Sequence, residues 1–204
     1  MSNIWFTADT HFGHSNILRY CERPFDNIGE HDLALIDNWN SCVRPGDTVF
    51  HLGDLALASK GRLKSIIERL NGQITLLLGN HDKQSARHYL DLGIKDVLQS
   101  KLVMIGKQYV VLNHYPFGCP GTTTRLPPVR LIDPGVPFLH GHTHSKERIR
   151  HRSADSLCLG PGVYDECEQQ LEINVGVDAW DYKPVSQKQI QNIISYLWKE
   201  GLDD

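Results

Sequence analysis

The chain has 204 residues, a formal net charge of −3, 40% hydrophobic residues and 22% charged residues. That length suffices for one well-buried domain, and the charge balance leaves no global basic field for nucleic acid or an anionic membrane. Histidine is the unusual count, at 11. The five cysteines, Cys21, Cys42, Cys119, Cys158 and Cys167, form no CxxC pair. They read as free thiols of a reducing compartment, with Cys119 in a Pro/Gly-rich loop as the one position open to a reactive role. The chain opens directly on IWFTADTHFGH, with no basic segment followed by a long apolar one, so no signal peptide is expected. Apolar runs are too short to span a bilayer. One soluble, cytoplasmic domain over residues 1–204 is the expectation, with no membrane partner and no preferred oligomeric state.

The first apolar run is Ile4 to Ala8. A helix is expected from about Glu30 to Cys42, with Leu33, Ile36 and Trp39 on one face, closed by Pro45-Gly46. Thr48 to Leu52 is a second apolar run. Another helix is expected from about Lys60 to Leu70, with Leu63, Ile66, Ile67 and Leu70 aligned and Asn71-Gly72 at its end. Ile74 to Leu78 follows. Alternating apolar strands and amphipathic helices argue for a central sheet covered by helices. Further on, Lys101 to Ile105 and Gln108 to Leu112 flank Gly106-Lys107 as a hairpin. Pro137 to Leu139 and Leu171 to Val177 read as strands, and Ser186 to Trp198 as a terminal helix striped by Ile190, Ile193, Ile194 and Leu197. Pro116 to Pro137 holds six of the ten prolines and reads as an ordered loop, a lid or substrate wall.

The informative feature is what ends each apolar run. The first ends in Asp9-Thr10-His11, the second in Gly53-Asp54, the third in Gly79-Asn80-His81-Asp82. The hairpin ends in Asn113-His114, and the Phe138-Leu139 run in His140-Gly141-His142-Thr143-His144. Each group alone is an ordinary turn. Together they bring metal-binding side chains to the carboxyl ends of five strands, the edge where open α/β sheets bind ligands. Imidazole and carboxylate without thiolate suit manganese first, with iron, zinc, nickel, cobalt or magnesium as alternatives. The donors are too many for one tetrahedral ion and suit two ions sharing a carboxylate, the arrangement that clamps both oxygens of an in-line phosphoryl displacement. Gly53, Gly79 and Gly141 precede donors, where they would let the chain turn sharply and a phosphate approach the backbone.

These five blocks, in order from Asp9 to His144, resemble the signature of the calcineurin-like metallophosphoesterase superfamily. DTHFGHSNILRYCERPF and VGVDAWDYKPVS further resemble a compact microbial and phage branch of it. The resemblance implies an α/β fold, a four-layer αββα sandwich of two packed mixed sheets flanked by helices. It implies one divalent ion on Asp9, His11, Asp54 and His144, and another on Asp54, Asn80, His114 and His142. It also implies His81 as a general acid beside the scissile phosphate, with Asp82 orienting or charging it, and a hydroxide between the ions as nucleophile. The activity implied is a phosphodiesterase with phosphomonoesterase activity besides, on small phosphoesters such as nucleotides or nucleic-acid ends. The alternative is a catalytically silent metal-binding scaffold on the same fold.

Around these residues, His14, Asn16, Arg19, Arg23 and Arg125 are expected to contact substrate, arginine because it grips phosphate bidentately. By strand alternation His51 and His140 should support ligands rather than bind metal. His31, His88 and His151 should lie at the surface, and Trp5, Trp39, Trp180 and Trp198 should pack in the core or at its edge.

Overall fold

The structure, a computed structural model, describes residues 2–116, 136–153 and 169–200. Ten strands and five α-helices make up these stretches. They run β1 (Ile4–Thr7), α1 (Ser15–Tyr20), α2 (Ile28–Cys42), β2 (Thr48–His51), α3 (Lys60–Ile67), β3 (Gln73–Leu77), α4 (Ala86–Asp91) and β4 (Asp96–Leu98). Then come β5 (Ser100–Ile105), β6 (Gln108–Asn113), β7 (Phe138–His140), β8 (Ile149–Ser153), β9 (Gln169–Asn174), β10 (Val185–Ser186) and α5 (Gln187–Glu200).

The strands form two five-stranded mixed sheets, ordered β10-β1-β2-β3-β4 and β5-β6-β7-β9-β8. Strands β1 to β4 pair in parallel, as do β6, β7 and β9. The expected fold class therefore holds. β1 to β3 read as nearly unbroken apolar runs because both faces are covered. Phe6, Phe50, Leu52 and Leu77 face the second sheet, meeting Leu112, Leu139 and Ile173. Val49, Ile74 and Leu76 face the helices, packing with Leu35, Ile36, Trp39, Leu63 and Ile66. Ile190 and Ile194 of α5 join the inter-sheet cluster. No helix among the described residues is long and apolar enough to cross a membrane.

Three helices begin where a side chain caps them, α4 among them, with Ser85 accepting from His88 N–H. Asn27 accepts from the N–H groups of Gly29 and Glu30, so α2 starts at Ile28. Ser59 accepts from Arg62 N–H at the start of α3. The buried face of α2 is His31, Asp32, Leu35, Ile36 and Trp39. Leu33, expected on that face, is exposed. His31, expected at the surface, is fully buried. Ile36 and Trp39 lie on the buried face as expected, but the stripe extends from them toward Asp32 and Leu35, which takes in His31 and leaves Leu33 outside. The indole N–H groups of Trp5, Trp39 and Trp180 all find partners: Asp47, the Asn71 carbonyl and the Asn174 carbonyl. The side chains of His151 and Trp198 lie outside the described residues.

Asp47 ties the entrance of β2 to β1. Its carboxylate accepts from Asn3 N–H at 2.8 Å, Trp5 Nε1–H at 2.9 Å and Arg44 N–H at 3.0 Å. These bonds hold its pKa down at about 2, backbone N–H groups first among the causes. A depressed carboxyl contributes stability that is complete above its unfolded pKa and lost as pH falls toward 2. Asp47→Ala should destabilise the fold by about 1–3 kcal/mol, read by denaturant unfolding at neutral pH. The deficit should shrink in acid.

Candidate metal centre

Three of the five strand ends deliver their donors through strained turns. Asp9, His11, Asp54, His142 and His144 all have positive φ, between 49° and 69°. L-residues pay for that conformation, so the turns need fixing from outside. Backbone bonds do so across neighbouring strands: Asp9 N–H to Gly53 O, His11 N–H to Asp54 O, and Gly141 N–H to His114 O, each 3.0 Å. Both Asp9 carboxylate oxygens accept from His142 N–H, at 3.1 and 2.9 Å, which joins the two sheets at the site.

The seven expected donors converge. The Nε2 atoms of His11 and His144 face each other at 3.3 Å. Asn80 Oδ1 lies 3.0 Å from His114 Nε2 and 2.9 Å from His142 Nδ1. Asp54 Oδ2 sits between the two sets, 3.5 Å from His11 Nε2 and 3.6 Å from His114 Nε2. The Nδ1–H of His114 donates to the Leu52 carbonyl at 2.8 Å, which turns its bare Nε2 toward the others. Asp9, His11, His114 and Asp54 are all buried.

This donor set fits cations. Lone pairs of imidazole, carboxamide and carboxylate point at one another with few protons to share. Burial raises the Asp9 pKa from 3.8 to about 7, with Asp54 adding to the rise, and burial raises that of Asp54 likewise to about 7. Burial pushes His114 down to about 3 and keeps His11 well below the usual imidazole range. His11 and His114 are thus bare at neutral pH, whereas His144, against the effect of burial, is raised to about 10 by its hydrogen bond to Asp178. One imidazolium already balanced by Asp178 leaves two buried carboxylates short of the counter-charge that a divalent ion would supply. Close groups of Asp9, His11 and His144, and of Asp9, Asp54 and His114, could each hold an ion.

Gly79 and Gly141 make room for the carboxylates. A Cβ on Gly79 would collide with Asp54 Oδ1, and one on Gly141 would come within 2.5 Å of Asp9 Oδ2. Gly53, at φ +94°, does make the sharp turn expected of it.

Several supporting residues differ from expectation. Asp82 does not hydrogen-bond the His81 ring. Its oxygens accept from the N–H groups of Asp54 at 2.6 Å, Gly79 at 2.8 Å and Leu55 at 3.1 Å, so it pins two strand ends together. His81 donates its backbone N–H to Asp54 Oδ1 at 2.8 Å, and its ring stands 5.2 Å from the His11 ring. Burial and Lys83 lower the His81 pKa, with Asp82 opposing them. Arg23 cannot serve substrate: it is buried, and all its N–H groups are taken by protein acceptors. His51 holds Thr10 Oγ1 at 2.9 Å, supporting the Asp9–His11 turn as expected. The His140 ring nitrogen Nδ1 lies 2.8 Å from the Gly141 carbonyl oxygen.

His14 lies beside the centre, its ring 5.6 Å from His11 and 6.1 Å from His81. Asn16 and Arg19 are exposed on the adjoining α1. Arg125 and Cys119, with Cys158 and Cys167, lie outside the described residues; Cys21 and Cys42 are free thiols. One residue of the site escaped the sequence reading: Asp178, whose Oδ2 accepts from His144 Nδ1–H at 2.9 Å. Its signal was available, because the Leu171 to Val177 run ends in Asp178 just as the other runs end in donors.

Residues 3–178 match the model of the calcineurin-like phosphoesterase superfamily domain. The chain belongs to that superfamily. Calcineurin-like phosphoesterases use a dinuclear divalent metal centre, and the Asp/His groups above are candidate ligand clusters for one. The chain is 48% identical over 196 residues to the uncharacterized protein MJ1445 of Methanocaldococcus jannaschii, covering 95% of this chain and 92% of that one. It is 30% identical over 219 residues to the Gene 66 protein of Mycobacterium phage L5, covering 98% of each. An archaeal and a phage relative agree with the compact microbial and phage branch. Among solved structures, the protein of unknown function AQ665 from Aquifex aeolicus shares the fold at TM-score 0.66 and 23% identity, over 95% of this chain and all of that one.

Gly79→Ala should displace the Asp54 carboxylate and weaken metal binding by about 10–100-fold while circular dichroism stays native. Metal uptake at pH 6 should release protons from Asp9 and Asp54, and affinity should fall as pH drops below 7. Calorimetry in two buffers of different ionisation enthalpy reads both; uptake without proton release would contradict the raised carboxyl pKa values.

Proposed function

We propose that this calcineurin-like phosphoesterase is a two-metal phosphodiesterase, with phosphomonoesterase activity besides, acting on nucleotide-type esters. The observation that carries the reading is the position of Asp54 Oδ2, almost equidistant from His11 Nε2 and His114 Nε2. A single carboxylate facing both donor sets is what a shared ligand requires. Asp9, His11, Asp54 and His144 would hold one ion, and Asp54, Asn80, His114 and His142 the other. When bound, such ions lower the pKa of coordinated water and offset the phosphate's charge. Manganese is the first choice among ions for this mixed donor set, with iron, zinc, nickel, cobalt and magnesium as alternatives.

The His81 ring stands outside the donor set but next to it, and it is only partly buried. That location suits a group that gives a proton to the leaving oxygen. An anionic phosphate in place would favour the protonated imidazole against the lowering effect of burial and Lys83. Asp82 acts through the backbone, keeping Asp54 and the His81 turn in register. On the outer rim, Tyr20 is 63% exposed and its ring lies 6.2 Å from that of His14. The Arg19 guanidinium sits 5.4 Å from the Tyr20 ring centre. An aromatic face joined to a cation beside the centre supports an ester bearing a nucleobase. His14, Asn16 and Arg19 are the proposed substrate contacts on this side.

The test is a panel of aryl mono- and diesters, 2′,3′- and 3′,5′-cyclic nucleotides, and single-stranded DNA and RNA, each with manganese, nickel, cobalt, zinc or magnesium. Metal-dependent diester cleavage is expected. Two bound ions with no turnover of any ester would instead mark a silent scaffold. His81→Ala should keep both ions and cut turnover of esters with poor leaving groups by about 10²–10⁴-fold. Full activity of that variant would remove His81 from the mechanism.

A further inference from the structure

Arg23 lies in the loop after α1, its side chain fully buried opposite an Asp178 that is 3% exposed. A guanidinium has five N–H groups. Here Nε donates to Asp178 Oδ1 at 2.8 Å, and Nη2 donates to Asp178 Oδ2 at 2.8 Å and to the Asp9 carbonyl at 2.7 Å. Nη1 donates to the Thr10 carbonyl at 3.2 Å and to His31 Nε2 at 2.9 Å. Arginine can only donate, so His31 accepts at Nε2 and donates Nδ1–H to Asp32 at 3.0 Å. Asp32 in turn takes Gly13 N–H and Arg62 from α3. The guanidinium is therefore anchored from several elements and cannot swing away.

The other side of this ion pair is a proposed metal ligand. Asp178 Oδ2 accepts from His144 Nδ1–H, which leaves Nε2 as the atom that faces His11. The remaining imidazoles of the centre differ. His114 is backed by a neutral carbonyl, His142 Nδ1 faces Asn80, and His11 Nδ1 is buried without a hydrogen-bond partner among the described residues. Among the described residues, only His144 of these imidazoles has a carboxylate within hydrogen-bond distance behind it. Arg23 also grips the carbonyls of Asp9 and Thr10, inside the strained turn that presents Asp9 and His11. All three unshared donors of one proposed ion thus depend directly on one buried pair, whereas of the other ion's unshared donors only His142 is linked to it, indirectly, through its N–H on the Asp9 carboxylate.

We propose that Arg23 and Asp178 are a positioning pair that builds one metal position selectively, that of Asp9, His11, Asp54 and His144. The inference rests on the two-ion reading above. A carboxylate behind a ligating imidazole fixes its tautomer and raises its basicity, and loss of such a partner typically weakens metal binding by about 10–100-fold.

The experiment is a titration of the metal-free full chain with manganese and zinc at fixed pH, followed by native mass spectrometry and metal analysis. The wild type should take two ions. Asp178→Ala should keep one at wild-type affinity and bind the other about 10–100-fold more weakly. Asp178→Asn, whose carboxamide oxygen can still accept from His144, should recover part of that loss. Combining Asp178→Ala with His142→Ala, which removes a donor of the other ion, should abolish tight binding altogether. Two ions at unchanged affinity in Asp178→Ala, or equal weakening of both, would overturn the positioning role. A wild type that takes fewer than two ions would instead overturn the two-ion reading. Should Asp178→Ala not fold, zinc-loaded wild type still decides. An exchange-protected His144 Nδ1–H with a metal-shifted Nε2 in nitrogen-15 spectra is expected, and its absence counts against the pair.

Discussion

Burying two carboxylates at the meeting edge of two sheets creates a problem of charge that shapes the rest of this molecule. Asp9 and Asp54 are at most 1% exposed. Desolvation alone holds a buried carboxyl toward its neutral form, as the values near 7 show. Only a strong local positive charge makes ionised carboxylates affordable there. The surrounding imidazoles do not provide enough of it: burial keeps His11 and His114 neutral, and the charge of His144, held up against burial by Asp178, is balanced by that same carboxylate. A pocket so furnished is unfavourable empty and favourable around cations.

The backbone carries the cost of this arrangement. Five of the seven donors sit in the left-handed region, where a side chain costs about 1–2 kcal/mol per residue. Such strain persists only where surrounding contacts over-determine the conformation. Three devices supply those contacts: hydrogen bonds between successive strand ends, the Asp82 carboxylate on three backbone N–H groups, and the buried Arg23 on two carbonyls. Acidic residues in this chain thus do two different jobs. Asp9 and Asp54 face the centre, whereas Asp47, Asp82 and Asp32 spend their oxygens on backbone N–H groups and hold loops in place.

The two halves of the centre are not equivalent. One side is backed by an ion pair, Arg23 with Asp178, that reaches through His31 and Asp32 to Arg62 on α3. The other is backed by neutral groups, the Leu52 carbonyl behind His114 and Asn80 beside His142. Both halves come from the carboxyl ends of parallel strands, and the first is tied through His31, Asp32 and Arg62 to helices outside the sheet.

The sequence by itself determined the alternation of strands and helices, the fold class, and the donors that end the apolar runs. Those features are local: a period of two or of 3.6 residues, and a change from apolar to polar at a strand end, are written along the chain. Short elements such as α1, α4, β4 and β10 span six residues or fewer, too few to display a period. What tertiary structure decided was which polar residues are buried and against whom. Arg23 and Asp178 are 155 residues apart, and although the end of an apolar run marks Asp178, nothing in the sequence pairs it with Arg23. The same applies to His31, whose place depended on the rotational phase of α2, and to Asp82, whose three backbone partners come from two strand ends. Side-chain type restricts the bonds a residue can make, but the partner is chosen by folding, because hydrogen bonds reach only about 3 Å and so depend on where distant segments meet.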